Sequence, residues 1–215
     1  IEQILTSVIA HNFSKINTEN VAALKNIIDQ LPNYGISNLN IKSSLSKQYS
    51  IPFSDIEKEI ITALSSNPEE IIRDAVRGIY TLAEQEYNIT KIMDVVSDNL
   101  RCCKREGLYH SITCLKEIIK IKYCKYISSN AIQNIELGLA YLKEYTTIKE
   151  PDEDITVNEK LLYKRSIASM LPRLANYYKS KHQNIPPIVS EWVEIVLNQN
   201  EFSDIRNAYI NSKGA

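Results

Sequence analysis

The chain has 215 residues, 44% of them apolar and 24% charged, which excludes a disordered polymer and allows one larger or two small domains. A formal net charge of −1 gives no global pull toward nucleic acid or a membrane surface. Only five glycines occur, fewer than an α/β enzyme with phosphate loops and many turns would use. No run of about 18 apolar residues is present to span a bilayer, and the start lacks the charged-then-apolar order of a signal peptide. A cytoplasmic, intracellular protein is therefore expected, and a first residue of Ile rather than Met suggests a piece of a longer one.

Nearly every segment has the 3.6-residue apolar period of a helix. Residues 1 to 13 place Ile4, Leu5, Val8 and Ile9 on one face, and Val21 to Leu31 does the same with Leu24, Ile27 and Ile28 before Pro32. A shorter helix is expected over Leu39 to Tyr49, then one over Asp55 to Ser65. The next, Pro68 to Glu84, has the clearest start signal: Asn67 as N-cap, Pro68 at the first helical position, and Glu69 and Glu70 facing the positive end of the dipole. Asn88 to Cys103 follows, with Ile92, Val95, Val96 and Leu100 on one side. Gly107 reads as a break before a helix from Leu108 to Tyr126, and Ser128 and Ser129 cap Ala131 to Tyr145.

The polar stretch Lys149 to Asp154 is a candidate hinge, dividing a repeat array over 1–150 from its continuation, or a small helical subdomain, over 151–215. Helices over Glu159 to Lys181, Ile188 to Leu197 and Asp204 to Ile210 complete the chain, with Pro172 marking a kink or boundary. No strand-like alternation of useful length occurs.

A shift of 39 residues places Ala75 and Val76 on Cys114 and Leu115, Ile79 on Ile118, and Leu82 on Ile121. Met93, Val96 and Leu100 fall on Ile132, Ile135 and Leu139. Such a period suits a two-helix solenoid unit. Asn67-Pro68-Glu69 followed by Ile72-Arg73-x-Ala75, with Ile60-Ile61-x-Ala63-Leu64 before it, resembles a HEAT repeat over residues 55 to 83. The next block has Ser111-Ile112-x-Cys114 where the family's Arg and Ala stand. The resemblance implies an all-α superhelix of stacked antiparallel helix pairs, a scaffold with no particular chemistry.

Four constellations bear on chemistry. Cys102, Cys103, Cys114 and Cys124 form no C-x-x-C pair and read as reduced, apolar thiols, so no metal and no cofactor is expected. Arg105-x4-His110 resembles the motif of HEPN ribonucleases, where His would act as general base and Arg would hold the phosphate. A solvated turn explains the same residues more simply. Trp192 sits among Ile188, Val189, Val193, Ile195 and Val196 and reads as core, not as the groove tryptophan of a HEAT-like DNA glycosylase.

The fourth constellation is basic. Residues 101–125 hold Arg101, Lys104, Arg105, Lys116, Lys120, Lys122 and Lys125 against Glu106 and Glu117, and residues 160–189 hold Lys160, Lys164, Arg165, Arg173, Lys179 and Lys181 with no acid. Tyr123, Tyr126, Tyr163, Tyr177 and Tyr178 interleave. Both stretches fall on helices expected to be second in their pairs. Lys116, Lys120, Arg165 and Arg173 are thus candidates for one concave, positively charged face that binds a protein partner with an acidic surface. The alternative is a nucleic-acid-binding or RNA-cleaving module using the same groove.

Overall fold

The apolar periods translate into helices stitched by short connections. The computed structural model describes residues 20–34, 37–47, 50–65, 69–102, 105–120, 122–146, 156–198 and 203–213. The helix expected over 1–13 and the Asn67-Pro68 start signal lie outside the described residues. Within them the fold is all-α: α1 (Asn20–Gln30), α2 (Leu39–Leu45), α3 (Phe53–Leu64), α4 (Glu69–Glu84), α5 (Thr90–Cys102), α6 (Arg105–Ile118), α7 (Ser129–Tyr145), α8 (Val157–Ser180), α9 (Pro187–Leu197) and α10 (Ser203–Asn211). Two 3₁₀ turns, Leu31–Tyr34 and Cys124–Tyr126, follow α1 and α6. None of these helices is long and apolar enough to cross a membrane.

Three local expectations need correction. Gly107 does not break the chain: it is buried inside the first turn of α6. That helix ends at Ile118 rather than Tyr126. Of the two readings of Pro172, a boundary is excluded, because α8 runs continuously past it from Val157 to Ser180, close to the expected span. The missing N–H at Pro172 costs one ladder bond, and burial of Ile167, Ala168, Met170, Leu171 and Leu174 around it holds the helix together.

The chain divides into two compact units, residues 1–87 and 88–215. The helices on either side of the expected hinge, α7 and α8, belong to the same unit. In the first unit α2 and α3 both pack on α4. Ile56, Ile60, Ala63, Leu64, Ile72, Ala75, Val76, Ile79 and Leu82 form its core. Helix α2 is only seven residues long and Asn38 makes no side-chain cap. Its cap comes instead from α4, where buried Asp74 accepts from the Ser37 Oγ at 2.6 Å and the Asn40 backbone N–H at 3.2 Å. A carboxylate there also opposes the helix dipole.

In the second unit helices alternate between two layers. One holds α5, α7 and α9, the other α6, α8 and α10, and each helix packs on the next member of its own layer. The closest approach is at Gly138 of α7, where a Cβ would lie 2.4 Å from the Leu100 Cβ of α5. Polar groups latch the same neighbours. Ser128, the N-cap of α7, accepts from the Ala131 N–H and donates to Asp94 of α5. The Trp192 indole of α9, fully buried, donates to the Leu139 carbonyl of α7 at 2.9 Å. Trp192 is core, as its apolar neighbours imply.

The positions matched by the 39-residue shift share burial for the most part. Ala75 and Cys114, Val76 and Leu115, Ile79 and Ile118, Val96 and Ile135, and Leu100 and Leu139 are all buried. Ile132 is only half-buried while Met93 is fully buried, and Ile121 lies outside the described residues.

Two sets of variants test these contacts by chemical denaturation. Ile79→Ala and Ile118→Ala should each cost about 2–5 kcal/mol as cavities in the two cores, whereas exposed Arg77→Ala should cost about 0.5 kcal/mol or less. Gly138→Ala should cost about 1–3 kcal/mol by wedging α5 from α7. Gly78→Ala should cost less, because its nearest obstacle, at 2.8 Å, is the small Ser43 hydroxyl. A neutral Gly138→Ala would contradict the packing of α5 on α7.

Candidate functional site

The two helices that carry the basic stretches, α6 and α8, are neighbours in one layer. The link between them is Arg173. Its guanidinium donates from one Nη to the Lys116 carbonyl at 2.6 Å and to Glu117 Oε1 at 3.2 Å. Lys116 lies in the last turn of α6, where carbonyls lose their helical donors. Arg173 therefore caps α6 from the side, and only 11% of its side chain is exposed. Its Nε is buried without a hydrogen-bond partner among the described residues.

Glu117 is shared by three cations: Arg173, Lys116 at 3.5 Å, and Lys120. Burial alone would raise its pKa; hydrogen bonds from Lys120 and Arg173, and the charges of both, overcome that and lower it. Of the four candidates for partner binding, the structure thus gathers Lys116, Lys120 and Arg173 about one carboxylate. Arg165 stands apart, on an exposed side of α8 two turns before Arg173. Lys116 is half-buried and Lys120 more open, with 27% and 40% of their side chains exposed.

Beyond this hub lies a tyrosine-rich end. Tyr177 follows Arg173 by one turn on the same face of α8 and packs edge-on to Tyr178. Burial, and then the neighbouring Cys124, raise the Tyr177 pKa. Tyr178 is raised further by burial and by donating its hydroxyl to Glu136 at 2.6 Å. Lys122 lies 4.9 Å from the Tyr123 ring centre, Lys125 5.0 Å from that of Tyr126, and Lys181 5.9 Å from that of Tyr177.

Lys160 and Lys164, counted in the second basic stretch, are buried on the first half of α8. Burial, and then the charge of Lys160, lower the Lys164 pKa. Their charge is withdrawn from the surface that the count implied. The tell-tale was present but weak: both follow the apolar phase of Ile167 and Leu171 on the same helix.

The Arg105/His110 pair sits on the first two turns of α6. His110 is buried and meets Tyr109 edge-on at 5.3 Å. His182 is exposed, and His11 lies outside the described residues. Cys114 is buried in α6, and burial followed by the Glu117 charge strongly raises its thiol pKa. Cys102 is exposed beside Asp98, and Cys103 lies outside the described residues. Among the described residues no group of three or more His, Cys, Asp or Glu side chains is placed to hold a metal.

The first unit holds a cleft of about 600 Å³ between Pro32, Leu39, Asp55, Glu59, Ala63 and Ile71. Two of its polar side chains are engaged in the fold: Asn38 donates to the Ile28 carbonyl at 2.8 Å, and Glu59 pairs with Lys42 at 2.9 Å. Comparison with protein-family models, curated proteins and solved structures finds no match for the chain.

The Glu117 hub makes a pH prediction. A lowered folded-state pKa stabilises the protein above the ordinary carboxylate pKa, and that contribution is lost as pH falls through the folded value. Urea denaturation between about pH 6 and pH 3 should show wild type losing more stability than Glu117→Gln. At pH 6 the variant should be weaker by about 1–3 kcal/mol, from lost charge-assisted bonds. Parallel pH profiles would mean that the hub is not coupled to folding.

Proposed function

We propose that the chain is a HEAT-like helical-repeat scaffold that binds a protein partner through the layer containing α6 and α8. The observation that carries this reading is the alternating packing of α5 to α10, in which each helix rests on the second-next. Stacking of that kind is how helix-pair repeats bury a stripe that one pair cannot cover alone. The shared burial of Ala75 with Cys114 and of Ile79 with Ile118 supports the repeat. A scaffold reading also accommodates the site chemistry: cations clustered on two adjacent helices, with buried His110 next to Tyr109.

Two measurements test the proposal. Residues 53–84 should superpose on 90–118 with Ala75 over Cys114; opposite faces would end the repeat reading. In the native setting, a protein partner should co-purify in fixed stoichiometry. The combined Lys116→Glu, Lys120→Glu and Arg165→Glu protein should stay helical by circular dichroism, though less stable because two cations of the Glu117 hub are lost, and bind that partner about tenfold more weakly at low salt, where the Debye length approaches 10 Å or more. Arg173 is left unchanged because its loss would uncap α6. RNA cleavage by the wild type, abolished by His110→Ala, would replace the scaffold with an enzyme.

A further inference from the structure

We infer that the end of unit two formed by the 3₁₀ turn after α6 and the last turn of α8 is a docking site for an acidic protein segment, rich in Asp and Glu. This assignment rests on the scaffold reading and locates its contact. The residues are Lys120, Lys122, Lys125, Lys179 and Lys181, with Tyr123 and Tyr177 beneath them. Residues 116–125 contain one acid, Glu117, and residues 173–181 contain none. Glu117 is already engaged by Lys116, Lys120 and Arg173. The other lysines face solvent: Lys122, Lys125, Lys179 and Lys181 are all exposed.

Geometry joins the two segments. Arg173 bolts α8 to the end of α6, and Tyr177, one turn later, is near enough to Cys124, between Lys122 and Lys125 in sequence, to interact with it electrostatically. Part of the charge complements the negative ends of two helices. That effect fades within a turn and asks for one or two cations per helix, whereas this edge also exposes Lys125, Lys179 and Lys181.

The aromatic rings decide the class of partner. Single-stranded nucleic acid needs open ring faces on which bases stack. Here Lys122, Lys125 and Lys181 lie over the rings of Tyr123, Tyr126 and Tyr177. Tyr126 and Tyr177 are themselves buried. A face so covered presents ammonium groups held in place by the rings under them, which suits carboxylates. Electrostatic complementarity of this type sets partner choice and encounter rate.

The test uses the full chain and two labelled probes: a 12-residue peptide of alternating Asp and Glu with one Gly spacer, and a 12-nucleotide oligouridine. Fluorescence anisotropy should show the peptide binding, and weakening as salt rises from about 50 mM to about 300 mM. The Lys122→Gln, Lys125→Gln, Lys181→Gln triple variant should lose about tenfold in peptide affinity. A control triple of exposed cations elsewhere, Lys58→Gln, Arg77→Gln and Lys91→Gln, should change it less than about twofold. Tyr123→Ala, which removes the ring under Lys122, should weaken peptide binding less than the lysine triple variant does, whereas at a base-stacking site it would weaken oligouridine binding more than the lysine triple variant. Circular dichroism verifies folding, and Lys→Arg replacement at the same three positions should restore binding if charge alone is required. Tighter binding of oligouridine, equal losses in the control triple, or no peptide binding at low salt would each overturn this site. None of these results would undo the repeat superposition that tests the scaffold itself.

Discussion

Contact between a helix and the second-next helix is the constraint on which this structure depends. In the second unit it is tightest where Gly138 meets Leu100, with no room for a side chain between them. In the first unit Gly78 lets α4 approach α2 over Ser43 and the Leu39 carbonyl. Such contacts bury apolar surface, worth about 25 cal/mol per Å², but they also bring helix ends against neighbouring side chains. The ends then need partners, since an uncapped buried terminus leaves unpaired backbone groups. Asp74 serves the start of α2, Asp94 bonds the cap of α7, and Arg173 serves the end of α6. The layer packing and the polar latches are consequences of the same closeness.

Those latches explain why the basic edge has a defined shape. Arg173 adds a polar bond to the packing of α6 on α8. Its guanidinium, nearly out of water, binds both a carbonyl and Glu117. A planar fork suits this double role better than an ammonium, which is a compact point charge. The cost is that Arg173 serves the fold. A residue spent on capping presents little charge to solvent, so the exposed charge of this segment lies in the lysines that follow it, Lys179 and Lys181.

The periodicity of apolar residues carried most of the fold. The helices α3 to α5 and α7 to α10 fall within a few residues of their expected spans, because Ile60, Ile79, Leu100 and Leu139 keep one phase over several turns. Local signals failed where tertiary context outweighed them. Gly107 has low helix propensity, yet it is buried within α6, where a larger side chain is not needed to hold the turn. Ile27 shared the apolar face of α1 with Ile28, but only Ile28 is buried; Ile27 is exposed. A single sequence cannot tell which flank of a wide apolar stripe finds a neighbour. The site was less legible still. The two basic helices could be placed side by side from the pairing order, but not the side-chain roles within them: Arg173 capping, Lys160 and Lys164 buried, Arg165 exposed.

Charge counted along a sequence and charge presented to a partner are therefore different quantities. Between Lys160 and Lys181 the chain offers six cations and no acid, yet two of them are buried and a third is bonded to Glu117 and a helix end. Burial acts on the remaining free energy of each charge: Lys164 is pushed toward its neutral form by lost hydration and by Lys160 beside it. The cations left at the surface are Arg165 and, in and just past the last turn of α8, Lys179 and Lys181; the Lys181 stem lies on the Tyr177 ring while its ammonium stays wet. A partner approaching this protein would meet its positive potential at one edge of the helical layer. The first half of α8, equally basic in sequence, would contribute chiefly Arg165.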